Sequence, residues 1–251
     1  MGPYIYGKRN LIHIIDIRET VKGLLRARKF LSQVVSKGQD VLFVGTKRQA
    51  RASVIHVATQ TNMHYVTERW LGGTLTNFRT IRSRLARLEE LEAIEAGGME
   101  AKYSKKMIST LTRERRKITR NLQGIRKMSK LPGALVLIDI KREHIAAQEA
   151  HNLKIPVVSL IDTDSDPDLV DIPIPGNDDA MRAIELICEQ LGEAIEEGKR
   201  GRSGADDGST AESKGARRSR QVTARAEDAG AKPAEGSADE VAQAGSAVAS
   251  T

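Results

Sequence analysis

Apolar residues along the chain fall in short, β-branched runs separated by stretches of helical period. The runs are Leu11–Ile17, Val41–Val44, Tyr65–Val66, Leu135–Ile140 and Val157–Ile161. Between two of them, Leu24, Leu25, Phe30, Leu31, Val34 and Val35 recur on one helical face, with Gly38 placed to stop the helix. Ala50–Thr59 and Glu143–Asn152 give two further helical patterns. Buried strands alternating with helices predict a mostly parallel sheet covered on both faces.

The alternation breaks between Thr76 and Lys130. Phe78, Ile81, Leu85, Leu88 and Leu91 recur at spacings of three and four, and Met107, Leu111, Ile118, Leu122, Ile125 and Met128 repeat the pattern. Gly97 and Gly98 interrupt it between the two runs. Two helices joined by that turn predict an antiparallel coiled-coil hairpin, an arm whose seam is one side chain wide. From Gly198 onward the composition shifts to Ala, Gly, Ser and charged residues, which cannot bury enough apolar surface to offset ordering entropy. The fold class expected is therefore α/β. It is a flavodoxin-like three-layer sandwich of mostly parallel sheet flanked by helices, with an inserted hairpin and a disordered C-terminal tail. The domains expected are 1–75 with 131–197 for the α/β body, 76–130 for the hairpin insertion, and 198–251 for the tail.

Composition narrows the class. The chain has 251 residues, of which 39% are apolar and only 3% aromatic, so aliphatic side chains must build the core. No uncharged apolar run reaches the ~18 residues of a membrane span, and the opening MGPYIYGKRN has no signal-peptide core. The single cysteine, Cys188, lies on an apolar stripe with Ile184 and Leu191 and reads as a small buried hydrophobe. A cytoplasmic protein is expected. The net charge of +7 is unevenly spread: residues 1–78 carry +8, 79–130 carry +9 and 139–197 carry −11. Such a chain orients in the field of a polyanion, basic segments inward.

Candidate enzymatic chemistry is thin. VLFVGTKRQAR (Val41–Arg51) places Gly-Thr-Lys between a strand and a helix, but it lacks the second glycine of a phosphate loop. Lys47, Arg48 and Arg51 remain candidate phosphate contacts, with solvated helix-start cations as the alternative. The five histidines show no metal-ligand spacing, and no nucleophile elbow occurs. DTDSDPDLVD (Asp162–Asp171) alternates carboxylates as a calcium loop begins, yet has no glycine at the sixth position and no glutamate at the twelfth. A turn explains it better, and IPIPGNDDAMRAI reads as a rigid loop feeding a helix. No catalytic residue, metal or cofactor is assigned.

ERWLGGTLTNFRTI (Glu68–Ile81) is the most distinctive stretch. It combines an Arg-Trp pair holding the only tryptophan, a Gly-Gly-Thr turn, and an Asn-Phe-Arg opening into the basic helix. Together with PYIYGKRNLIHIID, FVGTKRQAR and DTDSDPDLVDIPIPGNDDA, it resembles the bacterial small-subunit ribosomal protein two family, over roughly Pro3–Gly198. The resemblance implies a structural, non-catalytic role in the small ribosomal subunit, contact with small-subunit rRNA and neighbouring proteins, and support for recruiting the large mRNA-binding protein one. By motif position it implies rRNA contact at Lys8 and Arg9, at Lys47 and Arg48, and over Arg69–Arg82, which includes Thr74, Asn77 and Arg79. The charge map adds Arg51, and at the hairpin base Arg84, Arg113 and Arg116. Family members usually begin with a further segment resembling LLEAGVHFGHQTRRWNPKM ahead of this chain's opening Pro-Tyr; a start codon lying further upstream is the expected reason, with a shortened variant as the alternative. Two alternatives remain: a phosphate-ligand-binding α/β enzyme, and a free RNA-binding protein.

Overall fold

The computed structural model describes residues 1–98 and 103–224, with side chains as far as Arg202. Its main sheet has five strands: β3 (Val41–Val44), β4 (His64–Val66), β5 (Ala134–Ile138), β6 (Val157–Ile161) and β7 (Ile172–Pro175). Their order is β4-β3-β5-β6-β7 and every pairing is parallel, with registers such as Phe43 to Val136 and Leu160 to Ile174. This is the doubly wound arrangement expected of strands apolar on both faces.

Alternation along the strands divides the side chains between two cores. Leu42, Val44, Leu135, Leu137, Val157 and Ile161 join one, shared with α5 (His144–Asn152). Val41, Phe43, Val136, Ile138, Val158 and Leu160 join the other. That second core is closed by α1 (Ile17–Ser36), α2 (Arg51–Gln60) and α6 (Met181–Ala224). Two strands lie outside the main sheet: β1 (Ile5–Arg9) and β2 (Ile12–Ile15) form a separate antiparallel ribbon. The apolar run Leu11–Ile17 thus contributes a ribbon strand and a helix start, not a core strand.

The helices of the insertion are α3 (Phe78–Ala96) and α4 (Lys105–Leu122). Their buried positions are Ile81, Leu85, Leu88 and Leu91 of α3 and Leu111, Ile118 and Leu122 of α4, single stripes at the spacing expected of a hairpin seam. Leu88 and Leu91 are wholly buried, and with Leu111, Ile118 and Leu122 they belong to the same apolar cluster as Leu42 and Val44. The chain leaving α4 folds back beneath them. Arg126 pairs with Glu92 at 2.7 Å, Ile125 and Met128 are buried, and a Cβ on Gly124 would lie 2.1 Å from the Tyr65 carbonyl. The insertion between β4 and β5 thus packs helix against helix, and its apolar residues run on into the core of the body.

Two further differences concern the C-terminal third. IPIP, read as a rigid loop, is the edge strand β7, where a proline's missing N–H is tolerated. Order also continues past Gly198, the expected start of the tail. A Cβ there would sit 2.6 Å from the Ser32 carbonyl, so the glycine lets α6 approach α1 closely, and Lys199 donates to the Thr61 carbonyl. Met1–Ala205 forms one compact unit. The second begins at Asp206, is helical to Ala224, and its remaining residues 225–251 lie outside the described ones. Among the described residues, no helix is long and apolar enough to cross a membrane.

Candidate nucleic-acid interface

The loop from Arg69 to Asn77 is organised by one carboxylate. Glu149 of α5 is buried, and its Oε1 accepts hydrogen bonds from the Trp70 indole (3.0 Å) and the Gly73 backbone (2.7 Å). Its Oε2 accepts from the backbones of Leu75 (3.0 Å) and Thr76 (3.1 Å) and from the Thr76 hydroxyl (3.1 Å). Burial pushes the Glu149 pKa up, but the donors from Trp70, Thr76, Gly73 and Leu75 outweigh it and hold the carboxyl below its ordinary value. Gly73, at φ +88°, supplies the backbone turn that aims these donors at one point. Trp70 and Leu75 then anchor in the first core.

That anchoring fixes where the cations stand. Arg69, Arg79, Arg82, Arg84, Arg113 and Arg116 are all exposed, and none has an ion pair among the described residues. Arg84 of α3 and Lys117 of α4 line one cavity of about 320 Å³ with Leu71, Glu114, Ile118, Asn121 and Leu122. Other arginines of the hairpin are neutralised: Arg87 by Glu90 and Glu114, Arg115 by Glu95, and Arg126 by Glu92. Pairing thus divides the arginines into a structural set and a free set. Sequence reasoning missed this because it depends on which helix faces meet.

Three other expected contacts are committed internally. Lys47 places its ammonium 2.7 Å from Asp178, 2.6 Å from Asp179 and 3.6 Å from Asp139. Burial works against its charge, but hydrogen bonds to Asp178 and Asp179 outweigh burial and raise its pKa. Arg51 bonds to Glu68 at 2.9 Å, and Glu68 holds Arg120 of α4 at 2.7 Å. Thr74 is buried, its hydroxyl donating to the Leu71 carbonyl at 2.5 Å. Asn77 is exposed at the start of α3, its side chain accepting from the Thr80 hydroxyl at 2.8 Å. Arg48 is exposed without an ion pair among the described residues, while Lys8 and Arg9 stand apart on the β1–β2 ribbon.

The carboxyl edge of the sheet bears on the enzyme alternative. In doubly wound folds ligands bind where strand order reverses, here between β3 and β5. That crevice holds Lys47 and its aspartates instead of an open phosphate cradle. Gly45 is close-packed, since a Cβ there would lie 3.0 Å from Val54. Glu143 is buried beside it, accepting from the Thr46 backbone (3.3 Å) and hydroxyl, and burial raises its pKa. Carboxylate oxygens of Asp162, Asp178 and Asp179 lie within 4.8 Å of one another, the one group among the described residues spaced to hold a cation, and Lys47 already supplies a positive charge to two of them. Carboxylates predominate here, alongside Lys47 and the Arg142 guanidinium, whose Nε donates to the Thr46 hydroxyl at 3.0 Å.

The family model described as Ribosomal protein S2 matches residues 1–198. The protein named Small ribosomal subunit protein uS2 from Rhodopirellula baltica is 58% identical over 199 residues, 79% of this chain and 76% of that protein. The one from Syntrophobacter fumaroxidans is 50% identical over 200 residues, 80% and 73% of the two chains. The one from Mycobacterium ulcerans is 50% identical over 209 residues, 83% and 75%.

Proposed function

The chain belongs to the ribosomal protein S2 family, and from that premise we propose that it grips small-subunit rRNA through the free cations at the hairpin base. It is a structural component of the small ribosomal subunit, cytoplasmic and not an enzyme. The observation that carries the rRNA reading is the division of arginines. Arg69, Arg79, Arg82, Arg84, Arg113 and Arg116 are exposed without ion pairs among the described residues, on a frame that Glu149 and Trp70 hold rigid. Unpaired guanidinium groups on a fixed scaffold suit phosphate contact, which positions a protein on RNA without reading bases. Arg48 and Asn77 extend this surface. Lys47, Arg51 and Thr74 support it from inside.

Support for recruiting the large mRNA-binding protein one belongs to the same reading and shares the hairpin base with rRNA. The slot between Leu71, Ile118 and Leu122 beside Arg84 and Glu114 offers an apolar lining with a charged edge, suited to a protein segment. Neutralising Arg79, Arg82 and Arg84 together to Gln tests the rRNA reading. The variant should fold and yet fall from the small-subunit peak of a sucrose gradient into the light fractions. Unchanged occupancy would overturn a binding role for the hairpin base.

A further inference from the structure

A polar cavity of about 430 Å³ opens beside β4, the edge strand of the main sheet, and shares no lining residue with the slot at the hairpin base. Thr59 and Asn62 from the end of α2, His64 and Tyr65 from β4, and Gln123 and Lys127 from the chain leaving α4 line it. Apart from the Tyr65 ring, only Ala58 and Met63 give it apolar side chains. Its volume is that of a small-ligand pocket, about 300–1,000 Å³.

The local backbone fixes these groups in place. Asn62 closes α2 in the left-handed conformation (φ +45°), which asparagine tolerates. Gly124 lies against the Tyr65 ring: a Cβ there would meet the Tyr65 Cδ2 at 2.6 Å, so glycine lets the two walls come together. His64 is only 6% exposed. Its Nε2 stands 3.4 Å from Asp40, while its Nδ1 has no partner among the described residues and is not sealed by protein. Buried polar groups ordinarily have a partner. The Asn62 and Gln123 amides, the Tyr65 hydroxyl and the Lys127 ammonium likewise have none among the described residues. Arg126, on the same rim, is held by Glu92.

We propose that this cavity takes one unpaired nucleotide of the small-subunit rRNA, its base against the Tyr65 ring and its edge on the Asn62 and Gln123 amides. Each amide offers a donor and an acceptor, the two functions that a base edge presents. His64 Nδ1 supplies one further partner, and Lys127 meets the phosphate. Unpaired bases are what proteins read in RNA, by stacking on aromatic rings and by edge contacts. A protein segment is less suited, because docking needs an apolar centre that this lining lacks. The cations at the hairpin base position the chain without reading bases, whereas the cavity adds a contact that depends on the base. The inference rests on the rRNA reading given above.

The test uses small subunits that carry the full chain with Asn62→Gly and Gln123→Ala together. Both residues are exposed and glycine keeps the left-handed turn, so the variant folds and enters subunits. Dimethyl sulfate and carbodiimide modify the edges of unpaired bases. They should find one rRNA residue about tenfold more reactive than with the unaltered chain. Gln123→Ala alone should expose the same residue to a smaller extent. An unchanged pattern of base reactivity in both variants would overturn the proposal. The four nucleoside monophosphates, offered to the isolated protein in equilibrium dialysis, should bind only weakly, since they lack the tether of the RNA chain. Tight binding of one of them, lost in the double variant, would make the ligand a free nucleotide and overturn the rRNA source. The hairpin-base reading fails instead by sedimentation of its own arginine variant, so the two failures are distinguishable.

Discussion

The Glu149 carboxylate accepts the Trp70 indole N–H at 3.0 Å, joining residues 79 positions apart in the sequence. Through that oxygen and its twin, α5 holds the loop that launches α3. The frame of the proposed RNA surface is thus set from the body of the sheet. Glu149→Gln keeps shape but turns an amide donor toward the backbone donors. We expect a loss of about 2–3 kcal/mol in urea unfolding, with the tryptophan fluorescence of the native state altered.

The same group makes stability pH-dependent. Its folded pKa lies below the ordinary value, so the stabilisation it gives is complete above the ordinary carboxylate range. It is lost as pH falls through the folded pKa. Urea midpoints measured from pH 6 down to pH 3 should fall, and the fall should be shallower in Glu149→Gln.

Lys47 separates the structural set of cations from the binding set. Lys47→Met leaves Asp139, Asp178 and Asp179 facing one another without their ammonium and should cost about 3 kcal/mol. The salt dependence of RNA binding should stay unchanged. Replacing Arg79, Arg82 and Arg84 should do the reverse, leaving stability intact and reducing the salt slope by about two to three. Equal effects of the two substitutions on RNA binding would return Lys47 to the interface.

Cys188 is buried at the second core, and burial pushes its thiol pKa up to about 12. It should resist alkylation in the native protein at pH 8 and react once urea unfolds the chain. Mass spectrometry after iodoacetamide treatment reads both states.

What the sequence disclosed follows from which forces are local. Val41–Val44 and Val157–Ile161 are legible as strands because β-branched runs with helical flanks have few other uses, and the strands β3 and β6 have the same bounds. Ile172–Pro175 was hidden because its prolines suit a loop as well as an edge strand. Cation-rich segments were visible, but pairing partners were not: Arg120 and Arg51 meet Glu68 only after β4 and α4 come together. Glu149 looked like any polar residue of an amphipathic helix. Five donors from a loop over seventy positions away give it meaning, and no local pattern encodes that.

The inert Cys188 permits the most direct test of the RNA interface, because an added cysteine becomes the only reactive thiol. Iron-EDTA tethered at position 79 or 113, or at position 185 on the acidic helix α6, would generate hydroxyl radicals within assembled small subunits. The account predicts strong rRNA cleavage from positions 79 and 113 and little from 185. Strong cleavage from 185 with none from 79 and 113 would contradict it.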